Sequence, residues 1–242
     1  MILDLRLAIG FLTRWPVKLP AMLPEGAMAR AMWAFPLVGA FIGCLSAVTY
    51  LLAHRALPEW PSALLALAVG MILTGALHED GLADCADGFG GGWDKEKKLA
   101  IMRDSTIGTY GALALILSVM LRASALTKFH HVPDALFIAH CLGRTALPVM
   151  MRILPPASAT GVAAGVGAPG WASVSIALAL GIGVTVWFYT INSPRPLLAT
   201  LFSVIAMACL AKRQIGGFTG DVLGATEQMV EVSVLLSLIG VP

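Results

Sequence analysis

Three aspartates are spaced so that a helix would present them side by side. Asp80, Asp84 and Asp87 follow one another at intervals of four and three residues, which places them on one face of an α-helix. Carboxylates so placed repel one another, by roughly a few tenths of a kcal/mol per exposed pair and by more near a low-dielectric boundary. A divalent cation offsets such repulsion, and Mg²⁺ is commonly held by one or two carboxylates together with substrate phosphates. The spacing therefore predicts a magnesium site.

Glycines and basic residues surround these aspartates. The glycines are Gly81, Gly88 and Gly90–Gly92, and the basic residues are Lys95, Lys97, Lys98 and Arg103. Glycine lets a bulky ligand approach the backbone, and cations bind anionic oxygens. Acids for a metal, glycines and cations together indicate phosphoryl transfer.

Two other interpretations of the acidic segment stay open on spacing alone. It could be a solvated loop between two membrane spans, where charges collect because they cannot lie in lipid. It could also be the cation-binding mouth of a transporter, although transporters more often place their acids near the middle of the membrane.

The composition requires a membrane protein. Of the 242 residues, 58% are hydrophobic and 12% are charged, about half the charged fraction of soluble domains, and the mean hydropathy is +0.84. Half of the 14 acids lie within residues 79–104. So few charges cannot cover a soluble protein of this size. With a net charge of +2 and no dense basic run, nucleic acid is not an expected partner.

The apolar segments predict one all-α, polytopic transmembrane helix bundle of about six to seven spans over residues 1–242. The predicted spans are Ala31–Ala53, Pro61–Leu77, Gly108–Thr127, Asp134–Met151, Trp171–Ile191, Leu197–Ala211 and the short Met229–Val241, since about 20 apolar residues cross a bilayer. Gly39, Gly43, Gly70 and Gly75 are suited to close helix packing.

The basic residues predict the orientation of the bundle. With the N-terminus in the cytoplasm, segments 1–30, 78–107, 152–170 and 212–228 are inside and hold 11 Lys and Arg, against three in the outside loops. Loops rich in Lys and Arg stay in the cytoplasm. Segments 78–107 and 212–228 are therefore expected on the same, cytoplasmic side, and 1–30 is expected to be cytoplasmic or interfacial.

A second polar segment, Gly216–Gln228, is expected on the same membrane face as the aspartates. Thr219 and Asp221 could complete a metal or phosphate site there, or the segment could be a simple turn before the last helix. His140 and Arg144 share a face of an otherwise apolar span. Two interpretations of that pair stay open: it could have a functional role, or Arg144 could bind backbone carbonyls.

At these residues the sequence resembles the cobalamin synthase family, also named adenosylcobinamide-GDP ribazoletransferase. The matching motifs are T-G-A-L-H-E-D-G-L-A-D-C-A-D-G (74–88), I-M-R-D-S-T-I-G-T-Y-G (101–111) and G-G-F-T-G-D-V-L-G-A (216–225). F-L-T-R-W-P (11–16) and F-P-L-V-G (35–39) extend the resemblance over nearly the whole chain.

The resemblance implies a multi-pass enzyme of the bacterial inner membrane with its active site facing the cytoplasm. Such an enzyme depends on Mg²⁺ and joins adenosylcobinamide-GDP to α-ribazole or its 5′-phosphate, releasing GMP. Its partners would be these small molecules and membrane lipid, and a homo-oligomer is left open.

The resemblance also implies roles for individual residues. Asp80, Asp84 and Asp87 would be metal ligands. Asp104 and Asp221 would be further ligands, or one of them would orient the attacking hydroxyl, so that the expected catalytic residues are Asp80, Asp84, Asp104 and Asp221. The expected substrate-binding residues are His78, Arg103, Ser105, Gly108 and Thr219, of which Arg103, Ser105 and Thr219 would contact phosphate oxygens.

Two other classes of function remain as alternatives. CDP-alcohol phosphotransferases also use an acid-rich motif at the membrane edge with Mg²⁺, but Asp84 stands where their motif has an arginine. A cation-coupled transporter would require a continuous polar path through the bundle, which the apolar spans do not indicate.

Overall fold

The computed structural model describes residues 1–129, 131–158, 165–188 and 194–239, and these form an all-α protein. Its longer helices are α1 (Ile2–Leu12), α2 (Ala27–Ala31), α3 (Phe35–Ala53), α4 (Glu59–Thr74), α5 (Leu77–Gly91), α6 (Lys95–Ile101), α7 (Thr109–Leu126), α8 (Val132–Ile153), α9 (Trp171–Phe188), α10 (Arg195–Ile215) and α11 (Gly220–Leu238). A single 3₁₀ turn, Met32–Ala34, joins α2 to α3. Among the described residues there is no strand, only one isolated bridge between Pro156 and Phe218.

Five helices are long and apolar enough to cross a membrane. They are Ala27–Ala53, α7, α8, α9 and α10, and a sixth span results if α4 and α5, which meet at an angle of 90°, are counted together. The all-α bundle predicted from the sequence is confirmed, with five to six candidate spans. The last residues expected for the span Trp171–Ile191, from 189 on, lie outside the described residues.

The seventh predicted span, Met229–Val241, corresponds to the second half of α11. This helix begins at Gly220, nine residues earlier than the apolar run suggested, and its end beyond residue 239 lies outside the described residues. It carries Asp221, Glu227 and Glu231 and is not among the candidate spans. Most of its side chains are buried, so α11 is a central helix of the bundle.

Helix α3 packs closely on α8 because two glycines face that helix. A Cβ on Gly39 would lie 2.2 Å from the carbonyl oxygen of His140, and one on Gly43 would lie 2.9 Å from the Cα of Phe137. Small residues allow such close approach. The packing predicted for these two glycines is confirmed.

The bend between α4 and α5 gives the acidic segment its direction. Gly75 and Ala76 both have left-handed backbone conformations, with φ of +66° and +57°. These two residues end α4 and start α5 at 90° to it. The acidic helix α5 therefore turns away from the direction of the preceding helix α4, and we treat α5 as lying outside the spanning segments.

Candidate active site

The acidic helix α5 crosses α11 at two glycines. A Cβ on Gly81 would lie 2.8 Å from the carbonyl oxygen of Asp221, and a Cβ on Gly224 would lie 3.2 Å from the Cα of Gly81. No side chain separates the two backbones at this point. The crossing therefore brings Asp80 and Asp84 next to Asp221. The acidic cluster thus includes a residue of the second polar segment, Gly216–Gln228.

The electrostatics of this cluster show that the carboxylates are close. Burial, together with the charges of Asp80, Asp221 and Asp87, raises the pKa of Asp84 to about 7. Burial also raises the pKa of Asp221, with an opposing effect from the Thr219 hydroxyl and a further rise from Asp80. Carboxylates whose negative charges lie this near to one another attract a proton or a cation.

The oxygen-only donor set of this cluster suits a hard divalent cation. Asp80 is exposed, while Asp84 and Asp221 are half-buried, so the oxygens can be reached from solvent. Mg²⁺ binds through one or two carboxylates and keeps positions for water or phosphate oxygens. Asp80, Asp84 and Asp221 supply these oxygens, but they are not a group of described residues whose ligand atoms all lie within 4.8 Å of one another, so a metal held here stays a prediction.

Asp87 lies on the same helix face but has a different environment. It is buried, and its two carboxylate oxygens accept hydrogen bonds from the backbone N–H groups of Gly108 (2.7 Å) and Gly111 (2.9 Å). A Cβ on Gly108 or Gly111 would lie within 2.4 Å of this carboxylate. Asp87 therefore caps the N-terminus of α7, which also favours negative charge there. Its expected role as a metal ligand stays a prediction.

Thr219 orients Asp221 rather than pointing freely toward solvent. Its hydroxyl donates to Oδ2 of Asp221 (3.1 Å) and accepts from the backbone N–H of Val222 (3.2 Å), as the N-cap of α11. Arg103 lies near enough to lower the pKa of Asp221. The structure thus brings Arg103 and Thr219 to the carboxylate cluster, both of which were expected to bind substrate.

Asp104 and Ser105 lie apart from this arrangement, in the exposed turn after α6. Asp104 accepts a hydrogen bond from the backbone N–H of Thr106 (3.0 Å), and this bond lowers its pKa. No contact that the structure describes joins Asp104 to Asp84 or Asp221. Asp104 is thus placed as a turn-forming residue, and its expected catalytic role has no support from this geometry.

Two cavities meet at Asp80. One, of about 460 Å³, is lined by Thr13, Arg14 and Thr74 and by the backbone of the bend between α4 and α5. The other, of about 240 Å³, is walled mainly by apolar side chains and also reaches His78 and Asp221. A reacting group held at Asp80 would therefore have a polar, cationic space on one side and an apolar space on the other.

Arg14 is a site residue to which the sequence analysis assigned no role. Its backbone N–H donates to the carbonyl of Leu73 (2.7 Å), and a Cβ on Gly75 would lie 2.3 Å from its Nε atom. The guanidinium therefore crosses over the bend. The sequence feature that could have identified Arg14 as a site residue is the motif F-L-T-R-W-P, whose arginine precedes the first span.

A buried charge network lies next to the acidic cluster and connects α5, α7 and α11. Arg122 forms ion pairs with Glu231 (2.9 Å) and Glu79 (3.4 Å), and Gln228 donates to Glu79 (3.0 Å). All four residues are buried. Since Glu79 precedes Asp80, these bonds fix the acidic helix against α11.

The same network continues into α8. The guanidinium of Arg144 contacts both Glu227 and Glu231, and Nδ1 of His140 lies 2.5 Å from Glu231. His140, Glu227 and Glu231 could by themselves hold a metal ion, but the Arg144 guanidinium already supplies the positive charge between the two glutamates. Arg144 thus binds carboxylates and not backbone carbonyls. The sequence feature that could have indicated this network is two pairs of polar residues at helical spacing, His140 with Arg144 and Glu227 with Glu231.

Comparison with known proteins gives a consistent family. A family model described as cobalamin-5-phosphate synthase matches residues 4–239. A protein of Bradyrhizobium diazoefficiens is 47% identical over 98% of this chain and 93% of its own length. One of Mesorhizobium japonicum is 41% identical over 96% and 91%, and one of Sinorhizobium sp is 45% identical over 97% and 95%. All three relatives are named adenosylcobinamide-GDP ribazoletransferase. No solved structure matches.

Proposed function

The chain belongs to the cobalamin-5-phosphate synthase family, and from this premise we propose that it is a membrane-bound, magnesium-dependent adenosylcobinamide-GDP ribazoletransferase. It joins adenosylcobinamide-GDP to α-ribazole or α-ribazole 5′-phosphate and releases GMP. The observation that carries this proposal is the meeting of Asp80, Asp84 and Asp221 where α5 crosses α11. A cluster of hard oxygen ligands beside two cavities suits transfer between two large substrates.

The bound metal would neutralise charge on the pyrophosphate and on the leaving phosphate. Asp80, Asp84 and Asp221 would hold it, because none of the three is fully buried and the charges of Asp80 and Asp221 raise the pKa of Asp84. Asp87 is the weaker candidate since both of its oxygens already bind backbone N–H groups.

The protein residues orient the two reactants. The acceptor's ribose hydroxyl forms a bond with the phosphorus on the cobinamide side of the pyrophosphate, the bond to the GMP oxygen breaks, and the hydroxyl proton leaves to a carboxylate. Thr219 fixes the carboxylate of Asp221 in the orientation in which it would hold the metal. Arg14, which shares a cavity with Asp80, and Arg103, whose charge acts on Asp221, supply positive charge for the phosphate oxygens.

The location follows from the helices and the basic residues. Five or six candidate spans support a multi-pass protein, and we place it in the bacterial inner membrane. The excess of Lys and Arg in segments 1–30, 78–107, 152–170 and 212–228 favours a cytoplasmic N-terminus,. The acidic cluster would then face the cytoplasm.

A GMP-release assay tests the proposal. Purified protein in detergent or lipid should release GMP only when adenosylcobinamide-GDP, α-ribazole 5′-phosphate (or α-ribazole) and Mg²⁺ are all present. EDTA should stop the reaction, and excess Mg²⁺ should restore it. GMP release no higher than that of an enzyme-free control would reject the transferase activity, and full activity in EDTA would reject the metal.

A further inference from the structure

The apolar cavity beside the acidic cluster meets the polar cavity at Asp80 but has a different lining. Its walls include Phe35 of α3 and Leu147 and Met151 of α8, and it has a volume of about 240 Å³. Asp80 and Asp221 lie at its polar end. An occupant would therefore have an apolar body and a polar group directed at the two carboxylates.

One side chain that lines this cavity has a buried polar atom without a partner. His78 lines the cavity and is only 3% exposed. Its Nε2 atom is buried and has no hydrogen bond to any residue that the structure describes. A buried nitrogen left unpaired costs about 1–3 kcal/mol, so a ligand in the cavity would gain affinity once the His78 ring turns this atom toward it.

These observations identify the chemistry of the occupant. A flat aromatic heterocycle presents apolar faces to Leu147 and Met151 and a ring nitrogen that can accept a hydrogen bond from His78. A lipid acyl chain has no group for that nitrogen. The corrin ring with its amide side chains is far too large and too polar for a cavity of about 240 Å³.

We propose that this cavity binds the aromatic base of the acceptor nucleoside, with His78 Nε2 donating a hydrogen bond to a ring nitrogen of the base. The inference rests on the proposed function, since it assigns one of that reaction's two substrates to this cavity. The attached ribose would extend toward Asp80 and Asp221, where its hydroxyl reacts. The nucleotide part of the donor would then occupy the cavity of about 460 Å³ that contains Arg14, with the corrin ring outside it.

An experiment on the unaltered protein avoids any problem of folding. The free base of α-ribazole is added to the GMP-release assay while each substrate is varied in turn. We expect the base to raise the apparent KM of the acceptor without changing the apparent KM of the donor. Competition with the donor, or no inhibition up to the solubility limit of the base, would overturn the assignment.

Substitutions locate the binding to this cavity. Met151→Phe fills it and should raise the acceptor KM at least roughly tenfold, while the donor KM stays within about twofold. Val149→Phe is the matched control, because Val149 lies on the same helix but lines a different cavity, between α8, α9 and α10. An equal rise in both KM values for Met151→Phe, or the same rise for Val149→Phe, would overturn the proposal.

The role of His78 has its own test. His78→Leu removes the hydrogen-bond donor and should raise the acceptor KM roughly tenfold, and His78→Gln, which retains an N–H, should recover part of that loss. A KM unchanged in both variants would remove His78 from the site. If the wild-type protein releases no GMP, the proposed function fails instead, and equilibrium binding of the free base to wild type and Met151→Phe still tests the cavity.

Discussion

Gly81 of α5 and Gly224 of α11 face each other where the two helices cross, and a methyl group on Gly224 would lie 3.2 Å from the Cα of Gly81. This contact of backbone on backbone determines how close Asp80 and Asp84 come to Asp221. The candidate active site therefore depends on two residues that have no side chain. Any group added at the crossing would separate the carboxylates that must share a cation.

Gly81→Ala should reduce both activity and stability. The new Cβ would lie 2.8 Å from the carbonyl oxygen of Asp221, so the helices must shift, at a cost of about 1–3 kcal/mol. We expect a lower thermal midpoint in detergent and GMP release reduced by more than the loss of folded protein explains. Gly183→Ala in α9 is the control, because nothing lies within 4 Å of its added Cβ. An active, equally stable Gly81→Ala variant would contradict the role of the crossing.

Asp84→Asn should abolish GMP release without unfolding the protein. The change removes a charge at nearly constant shape, and it also removes the repulsion that raises the pKa of Asp84. We therefore expect equal or slightly higher thermal stability in the absence of metal. Glu96→Gln, at an exposed position of α6, is the matched control and should retain wild-type turnover. Wild-type turnover in Asp84→Asn would reject this residue as a metal ligand.

The pKa of Asp84 also predicts a dependence of stability on pH. In the folded protein this pKa is about 7, above the ordinary 3.8, so the folded state holds the proton more tightly than the unfolded chain. Without metal, the contribution of Asp84 to stability is most favourable below pH 3.8 and is lost as the pH rises through 7,.

Mg²⁺ should offset this loss, because it replaces the proton. We expect the rise in thermal midpoint on adding Mg²⁺ to be larger at about pH 8 than at about pH 5.5. In Asp84→Asn that difference between the two pH values should largely disappear. The measurement is thermal unfolding in detergent with and without Mg²⁺, and a pH-independent Mg²⁺ effect would disagree with the proposed site.

The parts of this site that the sequence predicts are those with a local signal. Asp80, Asp84 and Asp87 have a helical spacing that places them on one face of α5, and α5 is indeed a helix. The Lys and Arg distribution also suggested that Asp221 shares a membrane side with them, and the structure brings Asp221 to the cluster.

The remaining features depend on partners that are distant in the chain. Arg144 pairs with Glu227, 83 residues away, and Asp87 accepts from Gly108, 21 residues away. No periodicity of the sequence specifies such a pair, because either residue alone has several plausible partners. The charge network and the capping role of Asp87 therefore depend on how the helices pack, which the sequence pattern does not specify.

The buried charge network should be sensitive to the loss of one member. Arg122→Met removes the ion-pair partner of Glu79 and leaves Glu231 with only Arg144 and His140, and removing one partner of a buried pair costs about 3–5 kcal/mol. We expect a strongly lowered thermal midpoint. Lys128→Met, at the exposed end of α7, should change stability by less than about 0.5 kcal/mol. Equal stability of the two variants would show that the network contributes little.

The side of the membrane that the acidic helix faces can be read by cysteine labelling. Gly91→Cys places a thiol at the exposed end of α5, and Ala56→Cys places one in the exposed loop between α3 and α4, on the opposite side in the proposed topology. Cys44 and Cys209, the native cysteines that are exposed, are first replaced by alanine. In intact cells a membrane-impermeant maleimide should label Ala56→Cys and should reach Gly91→Cys only after the membrane is opened, because the excess of Lys and Arg keeps that side in the cytoplasm. The reverse pattern would invert the proposed orientation and place the acidic cluster on the outer face.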